Sequence, residues 1–174
     1  MKKIILATAL AAILVSCDKQ KTGFVNTETI VKEYKEMSDT QELYAKKNDE
    51  MSSALDIKIQ EFQIKADLYQ KNGPSMNRSE REKKEEELMM LRQQIQQEQQ
   101  TGSRQLQQES QAAIDSVIKK VKARVKEYGE KNGYDYIYGQ NDAGSVMFGK
   151  AEYDLTDEVL KELNDNYTPV STEK

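Results

Sequence analysis

Hydrophobic and polar positions change their pattern along the chain. An uncharged, largely apolar run from Ile4 to Ser16 follows Met1-Lys2-Lys3. Between about Thr29 and Tyr128 the apolar residues recur at helical spacing, and beyond Gly133 they alternate. The first pattern predicts a leader, the second long helices and the third short strands.

No Pro or Gly falls between Thr29 and Lys71, so one helix of about 40 residues, roughly 60 Å long, is expected there. Its apolar positions Met51, Leu55, Ile59, Phe62, Ala66 and Tyr69 are spaced 4, 4, 3, 4 and 3, which predicts a coiled-coil-like seam. Asn72-Gly73-Pro74-Ser75 reads as a turn, with Gly73 in the left-handed conformation at the helix end and Pro74 blocking continuation. A second helix is expected from near Asn77 or Ser79, Ser79 and Glu82 matching a capping box. Gly102 is its only internal breaker before Gly129. Leu88, Leu91 and Ile95 begin a returning stripe, which Ile114, Val117, Ile118, Val121, Val125 and Tyr128 resume. Between them, Arg92 to Gln111 holds ten glutamines in twenty residues. Only Ile95 and Leu106 are large and apolar there, so the middle of the resulting antiparallel hairpin should be thinly packed and flexible.

The flanking segments predict a small sheet. Gly23 to Thr27 reads as a strand, and Tyr134-Asp135-Tyr136-Ile137-Tyr138 as another. Asn141-Asp142-Ala143-Gly144 reads as a turn leading to a hairpin partner, Ser145-Val146-Met147-Phe148. Thr156-Asp157-Glu158 should cap a short helix over Val159 to Asn164. With Phe24-Val25 paired to the Tyr136 region, the sheet would have three strands, a meagre core for one chain. Val25, Tyr136, Ile137, Val146 and Phe148 are therefore expected to form an oligomerisation body.

The predicted class is α+β: a long antiparallel α-helical hairpin, a coiled-coil-like arm, attached to a small β-sheet oligomerisation body and preceded by a lipoprotein signal peptide. The expected organisation is signal peptide 1–16, lipidated tether 17–22, N-terminal strand 23–30 and arm 31–132. The β-hairpin and C-terminal helix of the body occupy 133–166, and 167–174 is a flexible tail.

Charge and chemistry narrow the function. Leu14-Val15-Ser16-Cys17 resembles a bacterial lipobox, which would make Cys17, the chain's one cysteine, the acylated first residue of the mature protein. The competing reading is an ordinary secretory signal. Acylation tethers a protein without any membrane-spanning helix. It also leaves no thiol for a disulfide, a metal or catalysis. Loss of Lys2 and Lys3 with the leader moves the formal charge from −4 to −6, which argues against nucleic acid as a partner. The chain has no histidine, the commonest general base and metal ligand. Asp154 and Asp157 read as helix-capping residues. No cofactor, metal site or enzymatic activity is expected.

The block Lys131-Asn132-Gly133-Tyr134-Asp135-Tyr136-Ile137, then Ser145 to Phe148, then Tyr153-Asp154-Leu155-Thr156-Asp157-Glu158-Val159-Leu160, together with Phe24-Val25-Asn26 and the hairpin, resembles the Skp (OmpH-like) periplasmic chaperones. The likeness covers almost all of the mature chain. It implies a trimer whose β-rich body carries three helical arms that enclose unfolded outer-membrane proteins without ATP. The best-known members of that family are soluble and strongly basic, whereas this chain is acidic and carries the lipobox. Arg78, Arg81, Lys83 and Lys84 read as a solvated helix face in a distal arm of nearly balanced charge, a positive tip being their other reading.

The resemblance thus implies a periplasmic holdase and a homotrimer, and the lipobox adds a lipid tether to an envelope membrane. Adaptable apolar side chains of the arm, Met51, Leu55, Phe62, Met89 and Met90, are candidates for client contact, and packing within the hairpin is their other reading. The alternative for the whole protein is a structural coiled-coil envelope lipoprotein, a spacer or scaffold. An unbroken seam would favour the scaffold, and the glutamine-rich interruption favours a yielding cage.

Overall fold

A computed structural model describes residues 20–169. The leader 1–16, the lipidation candidate Cys17 and the end of the tail lie outside the described residues. The element order is β1 (Thr22–Asn26), α1 (Thr27–Glu33), α2 (Lys35–Asn72), a 3-10 turn (Gly73–Ser75), α3 (Arg78–Asn132), β2 (Tyr136–Gln140), a second 3-10 turn (Ala151–Tyr153) and α4 (Thr156–Asp165). These elements form two compact units, one from residues 20–33 and 121–166, the other from residues 34–120 and 167–169.

The first unit is built on β1. It pairs in parallel with β2, Phe24 opposite Tyr138 and Val25 opposite Gly139. Lys21 sets this register: its N–H donates to Asp135 Oδ2 at 2.7 Å and its carbonyl accepts from Asp135 N at 2.8 Å. Its ammonium donates to the Asn132 carbonyl and lies 4.1 Å from the centre of the Tyr134 ring. Gly133, at φ 69°, supplies the left-handed turn out of α3. The core consists of Phe24, Val25, Ile30, Leu155, Val159, Leu160 and Leu163. The last three lie at i, i+1 and i+4 of α4, the side of that helix the core buries.

The sheet differs from the expected three strands. Ser145 to Phe148 forms no strand, and the described sheet has two. The far side of β1 is taken instead by Asp154, bridged to Phe24, and by Leu155, whose N–H donates to the Phe24 carbonyl at 2.8 Å. Strand propensity reports packing on a pleated surface, and one chain offers Met147 and Phe148 no such surface: they are 89% and 82% exposed. Gly149, by contrast, is pressed on the Phe24 ring, where a Cβ would come within 2.3 Å of a ring carbon.

The helices also depart from expectation at their ends. The single helix from Thr29 is two helices, and β1 stops at Asn26, whose Oδ1 accepts the N–H groups of Glu28 and Thr29 at 3.0 Å. That cap starts α1 early. Tyr34 then takes extended angles, φ −73° and ψ 119°, and its carbonyl accepts Met37 N and Ser38 N at 3.1 Å to start α2. No Gly or Pro announces this break; it falls at the buried Tyr34, whose ring meets that of Tyr167 edge-on with centres 6.1 Å apart. Gly73 is right-handed, φ −52°, because the chain leaves α2 through a 3-10 turn rather than a left-handed cap. The capping box is Asn77 with Glu80, each side chain accepting the other's N–H at 2.9 and 3.0 Å. Glu82, expected to pair with Ser79, binds Arg78 instead. Gly102 interrupts nothing, since α3 runs through it. Finally, α4 begins at Thr156, where Asp154 Oδ1 accepts Thr156 N at 3.0 Å, the capping role expected of that aspartate.

Candidate functional site

The second unit is the hairpin of α2 and the arm portion of α3, antiparallel. Its register is fixed by contacts between the helices: Lys47 with Glu109, Lys58 with Glu98, Lys65 with Glu87, and Tyr69 with Glu85. A spacing of 4, 3, 4, 3, 4 puts Met51, Leu55, Lys58, Phe62, Lys65 and Tyr69 on one face of α2, and all six are half-buried. Lys58 and Ile59 border the seam together, the Lys58 side chain and Ile59 both 36% exposed, and Ala66 is half-buried beside Lys65. The lysine stems cover apolar surface while their ammonium groups reach the carboxylates of α3.

Packing is tightest at the end remote from the Gly73 turn, where Met37 and Val117 are buried; within the glutamine-rich stretch Ile95 is the one buried large apolar side chain. Across from Met51 stands Gly102, where an added Cβ would lie 2.9 Å from the Met51 sulfur. The neighbouring seam contacts are ion pairs whose side chains are more than a third exposed. Such pairs contribute about 0.2 to 1 kcal/mol each, against about 1.5 to 3 kcal/mol for a buried Leu or Ile. The middle of the hairpin is accordingly its least cohesive part.

The ion pairs shape local acidity. The Glu98 carboxyl is held below its usual range by the hydrogen bond from Lys58 and then that from Gln94. Lys84 and then Lys65 do the same for Glu87. Burial alone would raise Glu36, but hydrogen bonds from Lys120 and Tyr34 outweigh it and leave that carboxyl lowered.

Of the candidate client-contact residues, Met51, Leu55 and Phe62 lie half-buried in the seam, while Met89 and Met90 are exposed. A further exposed set was missed by the seam pattern: Ile57, Ile64 and Leu68, 67%, 61% and 53% exposed. Their spacing of 7 and 4 is itself the signal, placing them on one flank of α2 beside the seam. Apolar side chains left open at helical spacing mark an interaction surface more than a core.

In the first unit Val25 is buried, Ile137 and Val146 are half-buried, and Tyr136 and Phe148 are exposed. Tyr136 stacks on Tyr138, ring centres 6.0 Å apart at 17°. With Met147 and Tyr153 also exposed, the unit carries several open aromatic and apolar groups. Among the described residues no group of three or more Asp, Glu, Cys or His is placed to hold a metal, and no helix is long and apolar enough to cross a membrane.

The family described as Outer membrane protein (OmpH-like) matches residues 21–163. The chain belongs to the OmpH-like family. Its fold agrees with the crystal structure of a candidate outer membrane chaperone (OmpH-like) from Caulobacter crescentus CB15, with a TM-score of 0.78 over 89% of this chain and 90% of that one. Identity between the two is 11%, so the likeness is one of fold. No curated protein matches the sequence. The match begins at Lys21, the residue that locks β1 to β2 in this OmpH-like chain, and ends at Leu163, the last core residue of α4.

Proposed function

We propose that this OmpH-like protein is an ATP-independent periplasmic holdase chaperone, which binds unfolded outer-membrane proteins between the helical arms of a homotrimer and is tethered to an envelope membrane through acylated Cys17. The observation that carries the reading is the interrupted seam. A hairpin held mid-length by Lys58–Glu98, Lys47–Glu109 and a glycine can yield around a client of irregular shape, and it presents Ile57, Ile64, Leu68, Met89 and Met90 as apolar contacts. Met51, Leu55 and Phe62 join them wherever the seam opens. Adaptable, shallow apolar contacts suit the capture of many sequences without hydrolysis.

The trimer is supported by the open apolar groups of the first unit. Tyr136, Met147 and Phe148 leave an apolar surface that a second and third copy would cover, with Val25, Ile137 and Val146 beside it. The mass of the mature protein in solution tests both parts. Three chains alone, and three chains with one unfolded β-barrel protein, are expected. A monomer indifferent to the unfolded protein would favour the structural lipoprotein, a spacer at the envelope.

A further inference from the structure

Where the first turns of α2 run beside the middle of α3, the two helices line a groove of about 420 Å³. It repeats the same spacing on each, i, i+3, i+4 and i+7, from Gln41 to Asn48 on α2 and from Ser103 to Ser110 on α3. None of its lining residues is charged, in a chain where 32% of residues are. Half-buried Tyr44 and Leu106 give it an apolar base, and Gln41, Asn48, Ser103 and Gln107 stand exposed along it.

The groove's polar groups are also unengaged. Elsewhere on α3 the glutamines serve the helix: Gln94 donates to Glu98, Gln105 to Glu109 and Gln111 to Asp115. Gln41, Asn48, Ser103, Gln107 and Ser110 have no hydrogen-bond partner among the described residues. Side-chain amides and hydroxyls both donate and accept, which is what an extended backbone, alternating N–H and C=O, requires. Seven residues of helix span about 10 Å, the length of about three residues of extended chain.

We infer that this groove binds the backbone of an extended, uncharged polypeptide segment, and, resting on the chaperone reading, that the segment comes from the unfolded client. A groove lined only by neutral groups offers no counter-charge, so a charged side chain would be desolvated there without compensation. It would complement the apolar stripe at Ile57, Ile64 and Leu68, the stripe taking apolar side chains and the groove polar backbone. A glycan fits less well, because sugar rings dock on open aromatic faces and the Tyr44 ring has Lys47 Nζ 4.8 Å from its centre.

The test is fluorescence anisotropy with the full chain and an end-blocked, fluorescein-labelled peptide of Ser, Thr, Asn and Tyr, about six residues long and so about twice the groove. Ser103→Trp, which fills the groove from an exposed position, is expected to weaken binding at least about tenfold. The double variant Asn48→Asp, Gln107→Glu is expected to weaken it too, and to regain affinity for the same peptide carrying one lysine, a rescue that mere distortion of the helices would not give. Circular dichroism establishes that both variants fold. Equal peptide affinity in all three proteins would overturn the inference, as would binding of an N-acetylglucosamine tetramer in place of the peptide. If the unaltered chain does not bind the peptide but still keeps a urea-unfolded β-barrel protein from aggregating, the groove alone is refuted and the chaperone stands. If it neither binds the peptide nor suppresses aggregation, both are refuted.

Discussion

The backbone N–H of Asn26 donates to Thr156 Oγ1 at 2.8 Å, joining residues 130 positions apart. The same hydroxyl donates to Asp154 Oδ1, the oxygen that caps α4. One buried threonine therefore ties the end of β1 to the start of α4, and holds Asn26 where it caps α1. Thr156→Val keeps the volume but leaves the Asn26 N–H unsatisfied, at a cost of about 1 to 3 kcal/mol. Thermal unfolding should show the loss for Val and little loss for Thr156→Ser. Equal melting of Val and Ser variants would mean the hydroxyl does not carry this junction.

The hairpin should be acid-sensitive. Lys58 and Gln94 lower the Glu98 carboxyl, and Lys84 and Lys65 lower Glu87. A carboxyl with a folded pKa below its unfolded one stabilises the fold above the unfolded value, and that contribution disappears as pH falls through the folded value. Stability should thus hold from neutral pH to near the ordinary Glu value of 4.5 and decline below it. Urea unfolding of the unaltered chain and of Glu98→Gln should converge in acid, the variant being the less stable only at neutral pH. An unchanged gap at low pH would contradict this role of Glu98.

Assembly should depend on residues that the single chain leaves open. Phe148 is 82% exposed, so Phe148→Glu has no core to disrupt and should leave helix content unchanged. Its sedimentation velocity should nevertheless report dissociated chains, because burying an unpaired carboxylate in an interface costs several kcal/mol. Sedimentation identical to the unaltered protein would place the interface elsewhere.

The hairpin, its turn and the pairing of Phe24-Val25 with the Tyr136 region were legible in the sequence, because helical spacing and strand alternation follow directly from backbone geometry. The part Lys58 takes beside Ile59 was not, since its contribution comes from a lysine stem whose ammonium reaches Glu98 on the facing helix. The break at Tyr34 was hidden because no breaker residue marks it; it falls at a buried aromatic ring. Strand character at Ser145 to Phe148 was overread from composition, with no neighbour in the chain to pair it. The exposed stripe at Ile57, Ile64 and Leu68 was present in the spacing, but the stronger seam beside it masked the signal.

The membrane tether has a separate test. The lipobox fit of Leu14 to Cys17 leads us to expect that the native protein partitions with membranes and that Cys17→Ser is processed poorly or released in soluble form. Equal recovery of both proteins in the soluble fraction would exclude lipidation.

Suppression of aggregation is the most direct measurement of the proposed activity. A urea-unfolded β-barrel outer-membrane protein is diluted into buffer with the mature chain, or with a variant in which residues 45–115 are replaced by a short turn, and light scattering is followed. The intact chain should keep scattering near baseline, and the armless variant, still assembled through its first unit, should not. Protection that persists without the arms, or an intact chain that leaves aggregation unchanged, would contradict the account.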